Sequence, residues 1–177
     1  MMLNKFFKHF NTVIHHKYLV MIHCFKCGLY RQGIMHDMSK FSPVEFFAGV
    51  KYYQGFRSPN AAQKEKYGYS TAWLHHKGRN KHHFEYWIDF GMGPEYKLIG
   101  NPMPRKYVVE MFCDRIAASK VYLGKNYKDV SPLEYYEKGK HYYVMHEETA
   151  ALLEKLLCML AQKGEKETFS YIKNNII

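Results

Sequence analysis

The sequence predicts an all-α protein that folds as one helical domain. Helix start and stop signals recur along most of the 177 residues, apolar side chains repeat at helical spacing, and no alternating strand pattern of useful length is present. A chain of this length buries about 70% of its unfolded surface, so it needs no disulfides to hold a core. No linker divides the sequence, so we expect a single domain over residues 1–177.

The first predicted helix ends at about Cys27. Asn11 or Thr12 can serve as its N-cap, and Gly28 can end it, since glycine is common just past a helix. Apolar residues at seven-residue spacing, including Val20, give this segment one buried face.

Later helices are predicted from capping signals and amphipathic spacing. The motifs SPVE at 42–45 and SPLE at 131–134 each place Ser before Pro and Glu, which is a capping-box arrangement. Apolar periodicity predicts helices from about Pro104 to Leu123 and from His146 to Gly164. Only the segment from Phe90 to Pro104 is rich in Gly and Pro, and it is predicted to be a loop with at most a short extended piece.

Composition points to a reduced, soluble protein with an anionic partner. No apolar run approaches the length of a membrane span and no signal-like core develops, so we expect a cytoplasmic protein without membrane association. The formal charge of +10 favours a polynucleotide, a nucleotide or a phosphorylated metabolite, without choosing among them. Cys24 and Cys27 form a C-x-x-C motif, but no second pair follows it, so helix packing is favoured over a zinc or redox role.

The histidines carry the strongest functional signal. Nine of the eleven precede residue 84, and four of them fall within residues 75–83. Imidazole together with carboxylate suits a divalent transition metal such as Mn, Fe, Ni, Co or Zn better than calcium or copper(I). The candidate ligands are predicted to lie on separate helices, which a bundle can bring together by pointing one or two side chains inward from each. They are His16, His36, Asp37, His76, His83 and Asp114.

The adjacent pair His36 and Asp37 poses a geometric problem. Neighbours on an ideal helix point about 100° apart, so both cannot face one spot squarely. Both can reach a metal that lies near a helix end or a local irregularity.

The ordered set of His, His-Asp, His, His and Asp resembles the signature of the HD superfamily of metal-dependent phosphohydrolases. Three local segments strengthen the resemblance: HHKYLV around His16, HDMSK at 36–40 and DRIAAS from Asp114. It spans about residues 13–121, followed by C-terminal helices at about 131–175. The sequence is also similar to an uncharacterised bacterial and phage family that shares HDxSKF and NxHHxxxW.

The resemblance implies an all-α core that holds one metal through His16, His36, Asp37 and Asp114. A second metal is a further hypothesis. His76 and His83 would share one helix face if the segment stays helical, with His82 as a substitute for His83, and His75 and His82 would share another face. The number of metals therefore stays open between one and two per chain.

The implied chemistry is the hydrolysis of a nucleotide or another small phosphate ester by a metal-activated water. Asp37 suits a role in bridging two metals or orienting the water, and Lys40 could neutralise charge on the phosphoryl group. Glu45 belongs to the capping box and is interpreted as structural. Three further residues near the second histidine group are candidates for binding substrate, with the last also able to orient a ligand: Lys77, Arg79 and Asn80.

Two other functions fit the same residues. A di-iron oxygenase can use six His and Asp ligands on an HD-type scaffold, and a non-enzymatic module can use metal to staple a bundle whose basic face binds nucleic acid or a partner protein. A structural site should be closed by protein ligands, whereas a catalytic site keeps a position open. The phosphohydrolase is also favoured by aromatic residues near the histidines that could stack the base of a nucleotide: Tyr52, Tyr53, Trp73, Phe84, Tyr86 and Trp87.

Overall fold

The computed structural model describes residues 2–93 and 97–177, and it confirms the prediction of an all-α fold. The helices are α1 (Met2–Lys26), α2 (Tyr30–Met35), α3 (Pro43–Tyr52), α4 (Pro59–Tyr67), α5 (Thr71–Lys77), α6 (Arg105–Leu123), α7 (Ser131–Gly139) and α8 (Glu147–Asn175). Short 3₁₀ turns lie at Met38–Phe41, Phe84–Trp87, Gly124–Asn126 and Lys140–Tyr142. Within the described residues, no helix is long and apolar enough to cross a membrane.

The predicted N-terminal boundary of the first helix is wrong, whereas its C-terminal boundary is confirmed. Helix α1 begins at Met2, and Thr12 lies inside it with its hydroxyl donating to the carbonyl of Lys8. At the other end Gly28 has a φ of +83°, and the amide of Leu29 donates to the carbonyl of Cys24 at 2.8 Å. This is the backbone pattern of a glycine-terminated helix, and it turns the chain sharply into α2.

The two serine-proline motifs begin helices in different ways. Ser42 caps α3, since its hydroxyl accepts a hydrogen bond from the amide of Glu45, as the sequence predicts. Ser131 does not cap α7, because its hydroxyl accepts from the amide of Lys128 in the preceding turn and Val130 occupies the N-cap position. Both helices form. The motif therefore predicted the starts of α3 and α7 correctly, but it did not predict which residue caps α7.

The last helix continues beyond its predicted end. Gly164 leaves helical geometry, with φ 77° and ψ 175°, but the chain resumes a helix at once and runs to Asn175. The predicted loop from Phe90 to Pro104 contains part of a small antiparallel sheet, in which β1 (Ile88–Phe90) pairs with β2 (Leu98–Gly100). Residues 94–96 of that loop lie outside the described residues.

The hydrophobic core lies where α1, α6 and α8 pack together. Its fully buried side chains come from all three helices: Val20, Cys24, Val108, Phe112, Ile116, Leu153, Leu156, Leu157, Leu160 and Ile172. Helix α1 also packs against α2 and α3, and α3 packs against α5. These contacts place α1 against α6 and also against the short helices α2 and α3, close to the predicted ligands.

Candidate metal centre

His36 and Asp37 lie at a break between α2 and the following 3₁₀ turn. His36 has extended geometry (φ −50°, ψ 128°), and Asp37 is in the left-handed region with φ 53°. Such a backbone costs on the order of 1–3 kcal/mol for a residue other than glycine, although aspartate tolerates it better than most. The break removes the geometric problem of adjacent ligands, because neither residue is constrained by helix periodicity.

Lys17 holds this break against α1. Its ammonium donates to the carbonyl of Ile34 at 2.6 Å and to the carbonyl of His36 at 2.8 Å. Carbonyls at the end of a helix have no partner within the helix, so a lysine from α1 both satisfies them and fixes the position of His36.

The first ligand group contains the four residues that the HD resemblance implies. His16 Nε2 lies 2.9 Å from Asp114 Oδ1 and 3.9 Å from Asp37 Oδ2. His36 Nε2 lies 3.3 Å from Asp37 Oδ2 and 3.6 Å from Asp114 Oδ1. One donor atom from each of these residues falls within 4.8 Å of every other, so the group can hold a metal ion.

The second ligand group shares Asp37 with the first. Asp37 Oδ1 lies 3.3 Å from His76 Nε2 and 3.4 Å from His82 Nε2. His83 completes the group, with its ring 4.8 Å from that of His76 and 4.2 Å from that of His82. The structure thus brings together all six predicted metal ligands, and it adds His82 to them.

Residues 76–83 do not stay helical, so His76 and His83 do not share a helix face. Helix α5 ends at Lys77, and residues 78–83 form turns. Gly78 and Asn80 favour this change, and the side-chain amide of Asn80 donates to the carbonyl of His76 at the helix end. Because the chain turns back, His82 and His83 both face the second group, and neither is a substitute for the other.

Two buried glutamates stand behind the histidines. Glu110 Oε1 lies 3.0 Å from His36 Nδ1 and 3.1 Å from His82 Nδ1, so it supports one histidine from each group. Glu45 accepts from His76 Nδ1 at 2.7 Å and from His75 Nδ1 at 2.6 Å. A carboxylate on Nδ1 fixes the tautomer of the ring and leaves the Nε2 lone pair free for a metal.

The atoms that face one another in the centre are those that lack hydrogen bonds. Among the described residues, six buried atoms of the two groups make no hydrogen bond of good geometry, although Asp37 Oδ2 lies 2.6 Å from Lys40 Nζ: Nε2 of His16, His36, His82 and His83, and both carboxylate oxygens of Asp37. Buried polar atoms without partners are rare, and here they converge on two adjacent positions. Imidazole nitrogens and carboxylate oxygens match the donors preferred by divalent transition metals, so the residues fit such ions.

The electrostatics of the centre keep its carboxylates ionised. Burial raises the pKa of Asp37, but the charges of His36, Lys40 and His76 outweigh it and hold the pKa well below its ordinary range. Burial lowers the pKa of His36, yet Asp37 and Asp114 outweigh it and hold this pKa well above 6.5. A metal bound at the first group must therefore displace a proton from His36.

The predicted substrate-binding residues lie in three different settings. Lys40 Nζ is 2.6 Å from Asp37 Oδ2, and about a quarter of its side chain is exposed. Asn80 is buried and donates to Ser39 Oγ as well as to the carbonyl of His76. Arg79 is exposed and donates to the carbonyl of His75. In the described part of the chain neither Arg79 nor Lys77 forms an ion pair or hydrogen bond with a side chain of either group.

Sequence reasoning missed three positioning residues. Glu110 lies four residues before Asp114, so both face the same side of α6, and this spacing is a signal that could have found it. Lys17 follows His16 directly and gave no signal. Glu45 was interpreted as a structural capping residue, but its carboxylate binds His75 and His76 and does not complete the capping box.

Three of the four cysteines form a separate cluster, and among the described residues no cysteine belongs to a ligand group. Cys24, Cys27 and Cys113 are fully buried free thiols, with Cys27 Sγ 3.9 Å from Cys113 Sγ. Burial and the neighbouring thiols raise the pKa of Cys113 well above its ordinary value, so it stays protonated. They pack α1 against α6 as apolar side chains.

Comparison with known proteins gives a family but no activity. Neither the curated proteins nor the solved structures include a match to this chain. One family model matches residues 5–159, a range that includes all seven residues of the two ligand groups and both supporting glutamates. The chain therefore belongs to the family described as "Family of unknown function (DUF5662)".

Proposed function

We propose that this protein is a metal-dependent phosphohydrolase of the HD type that uses two divalent transition metals bridged by Asp37. One observation carries the proposal: the two oxygens of Asp37 face different ligand groups. Oδ2 lies toward His16 and His36, whereas Oδ1 lies toward His76 and His82. A carboxylate shared in this way can hold two metals side by side, as a two-metal hydrolytic site needs.

The donor set narrows the choice of metal. Five histidines and two aspartates supply more nitrogen than oxygen, which suits Mn, Fe, Co, Ni or Zn better than Mg or Ca. Bound there, such metals supply Lewis acidity toward a phosphoryl oxygen and lower the pKa of water. The protein contributes the fixed positions of the ligands, through Glu110, Glu45 and the carbonyl contacts of Lys17.

Lys40 gives the centre a phosphate-binding group. Its ammonium contacts Asp37, and the partial exposure of its side chain places it between the buried ligands and solvent. Burial lowers the pKa of Lys40, but Asp37 and Asp114 outweigh it and raise the pKa above its ordinary value, so the side chain stays charged. A fixed positive charge here can neutralise a phosphoryl group that reaches the metals.

The centre is partly exposed at Asp114, which favours an enzyme over a metal-stapled binding module. Asp114 has 18% of its side chain exposed, while the side chains of His36, Asp37 and His82 are at most 2% exposed. A structural metal site is closed by protein ligands, whereas a catalytic site leaves access for water and substrate. The substrate class that best fits Lys40 and the formal charge of +10 is a nucleotide or another phosphate ester.

A di-iron oxygenase is the second candidate, because two His-rich groups that share a carboxylate also suit two irons. The two proposals differ in the co-reactant and in the product. Hydrolysis needs no oxidant and releases phosphate or a phosphorylated fragment, whereas an oxygenase consumes O₂.

The test is elemental analysis of protein purified without added metal, followed on the same sample by a phosphatase and nucleotidase screen with Mn, Co, Ni and Fe. We expect close to two metals per chain and phosphate release that His36→Ala abolishes. His141→Gln, which changes an exposed histidine outside the centre, serves as the matched control. Two irons per chain with O₂ consumption and no phosphate release would favour the oxygenase. Absence of stoichiometric metal, with His36→Ala behaving as wild type, would refute the site.

A further inference from the structure

A basic groove lies where α1 begins and where α3 is followed by α4. It forms an open cavity of about 310 Å³ at the surface. Three lysines and two tyrosines line it together with one acidic residue: Lys5, Lys51, Lys66, Tyr52, Tyr53 and Glu65.

The groove carries an uncompensated positive charge. Glu65 forms an ion pair with Arg57, so its charge is already neutralised. Within residues 2–93 and 97–177, no carboxylate lies within ion-pair distance of Lys5, Lys51 or Lys66, and the last two are exposed. Three lysines around one cavity attract an anion with several charges.

Aromatic rings accompany these cations along the rim. Lys51 lies 5.5 Å from the ring of Tyr52, Lys66 lies 5.2 Å from the ring of Tyr67, and Arg57 lies 5.7 Å from the ring of Phe56. Exposed aromatic rings interleaved with basic side chains bind single-stranded nucleic acid, because bases stack on the rings while the cations follow the phosphates. A duplex hides the faces of its bases, so this surface suits a single strand.

Tyr53 joins the groove to α1, the helix that also carries His16 of the metal centre. The hydroxyls of Tyr53 and Thr12 lie 3.0 Å apart, and the ring of Tyr53 packs edge-on against His9. His9 in turn lies close enough to Lys40 for the lysine charge to lower its pKa. Along α1, Lys5 and His16 are eleven residues apart on the same face, which corresponds to about 16 Å at 1.5 Å per residue.

We propose that this groove binds a short single-stranded oligonucleotide and presents its terminal phosphate to the metal centre. Stacked nucleotides advance by about 3.4 Å each, so about five of them, or fewer in an extended strand, span the distance from Lys5 to His16. The delivery of the strand end rests on the proposed phosphohydrolase function, whereas binding in the groove is measured independently of it.

The test is fluorescence anisotropy with single-stranded hexanucleotides of DNA and RNA, each labelled at one end and phosphorylated at the other. Metal-loaded wild-type protein is compared with the double variant Lys51→Gln/Lys66→Gln, and chromatography checks that the probe stays intact. The matched control is Lys163→Gln/Lys166→Gln, which removes two exposed lysines from another cavity, of about 370 Å³, on α8.

We expect the groove variant to bind at least about tenfold more weakly and the control to bind as wild type. Each phosphate contact contributes about −0.7 to the slope of log K against log salt for a single strand, so three lysines give about −2 and the variant about −0.7. Equal weakening in the control variant would overturn the proposal. So would a mononucleotide or a duplex that binds as tightly as the hexanucleotide.

Failure of the proposed function gives a different result. Hydrolysis of a small aryl phosphate by the wild-type protein is measured in the same metal-loaded sample. Groove-dependent binding of the strand without any hydrolysis would overturn the phosphohydrolase and the delivery of the strand end, while the binding site would stand. Hydrolysis without groove-dependent binding would overturn the binding site alone.

Discussion

Helix α1 carries three buried histidines, one in its middle and one toward each end, and each lies in a different environment. His9, His16 and His23 follow one another at seven-residue spacing, and all three are buried. His16 meets Asp114 of α6 at 2.9 Å. His9 instead packs against the backbone of Gly49, where a Cβ would lie only 2.1 Å from its ring, and its Nδ1 has no partner in the described part of the chain.

His23 lies in the third environment, against the C-terminal helix. Its ring stacks on that of Phe169 with centroids 5.4 Å apart. Burial, with a smaller contribution from nearby lysines, lowers the pKa of both His9 and His23 to about 4, so both are neutral core residues. The comparison shows that burial does not make a histidine a ligand. A buried histidine becomes a candidate ligand where a facing helix places carboxylates beside it, and that placement depends on the tertiary structure.

The largest effect is expected from removing the shared carboxylate charge. Asp37→Asn keeps the shape of the side chain but provides a neutral amide to both ligand groups, so we expect both metals to be lost and hydrolysis to fall at least about 1000-fold. Elemental analysis and turnover of a small phosphate ester measure this. Retention of one full metal with substantial activity would show that Asp37 does not bridge the two groups.

The second prediction contrasts two histidines of the same helix. His16→Gln is expected to remove the metal of the first group and to lower hydrolysis at least about 100-fold, because its Nε2 faces Asp37 and Asp114. His23→Gln is expected to retain both metals and to cost about 1–3 kcal/mol of unfolding free energy, since it buries a polar amide in place of the ring that stacks on Phe169. Metal content and urea unfolding separate the two outcomes. Loss of metal from His23→Gln would show that His23 also contributes to metal binding.

The third prediction separates the two supporting glutamates. Glu110 contacts one histidine of each group, whereas Glu45 contacts only His76 among the ligands. Replacing such a partner typically lowers metal affinity by about 10–100-fold. Glu110→Gln should therefore weaken both metals, and Glu45→Gln should weaken only one. Competition with a chelator measures the two affinities, with Glu134→Gln on the exposed surface as the control.

The sequence predicted the ligands where their order along the chain carries the information. His16, His36, Asp37 and Asp114 follow the HD pattern, and the structure brings their side chains together. The sequence did not predict which histidines of the two doublets face the centre. That depends on where α5 ends, and the turns after Gly78 bring both His82 and His83 to Asp37.

The supporting residues were harder to predict for a physical reason. The SPVE motif indicated a helix start correctly, but a capping motif describes only the local backbone, and the carboxylate of Glu45 contacts α5 instead. A glutamate within an amphipathic helix such as α6 is common, so Glu110 becomes informative only when Asp114, one turn later, is already a candidate ligand.

The smallest expected effect concerns stability between pH 7 and pH 5. His23 has a folded pKa of about 4, below the ordinary 6.5, and it faces Lys26 of α1, Lys120 of α6 and Glu165 of α8. The unfolded chain therefore binds a proton over this range and the folded protein does not, so stability falls as the pH falls from about 6.5 toward 4. The loss attributable to His23 at pH 5 is at most about 2 kcal/mol. His9 acts in the same direction. Urea unfolding at several pH values should show a shallower decline for His23→Gln than for wild type, because glutamine binds no proton, and equal slopes would show that His23 already titrates normally in the fold.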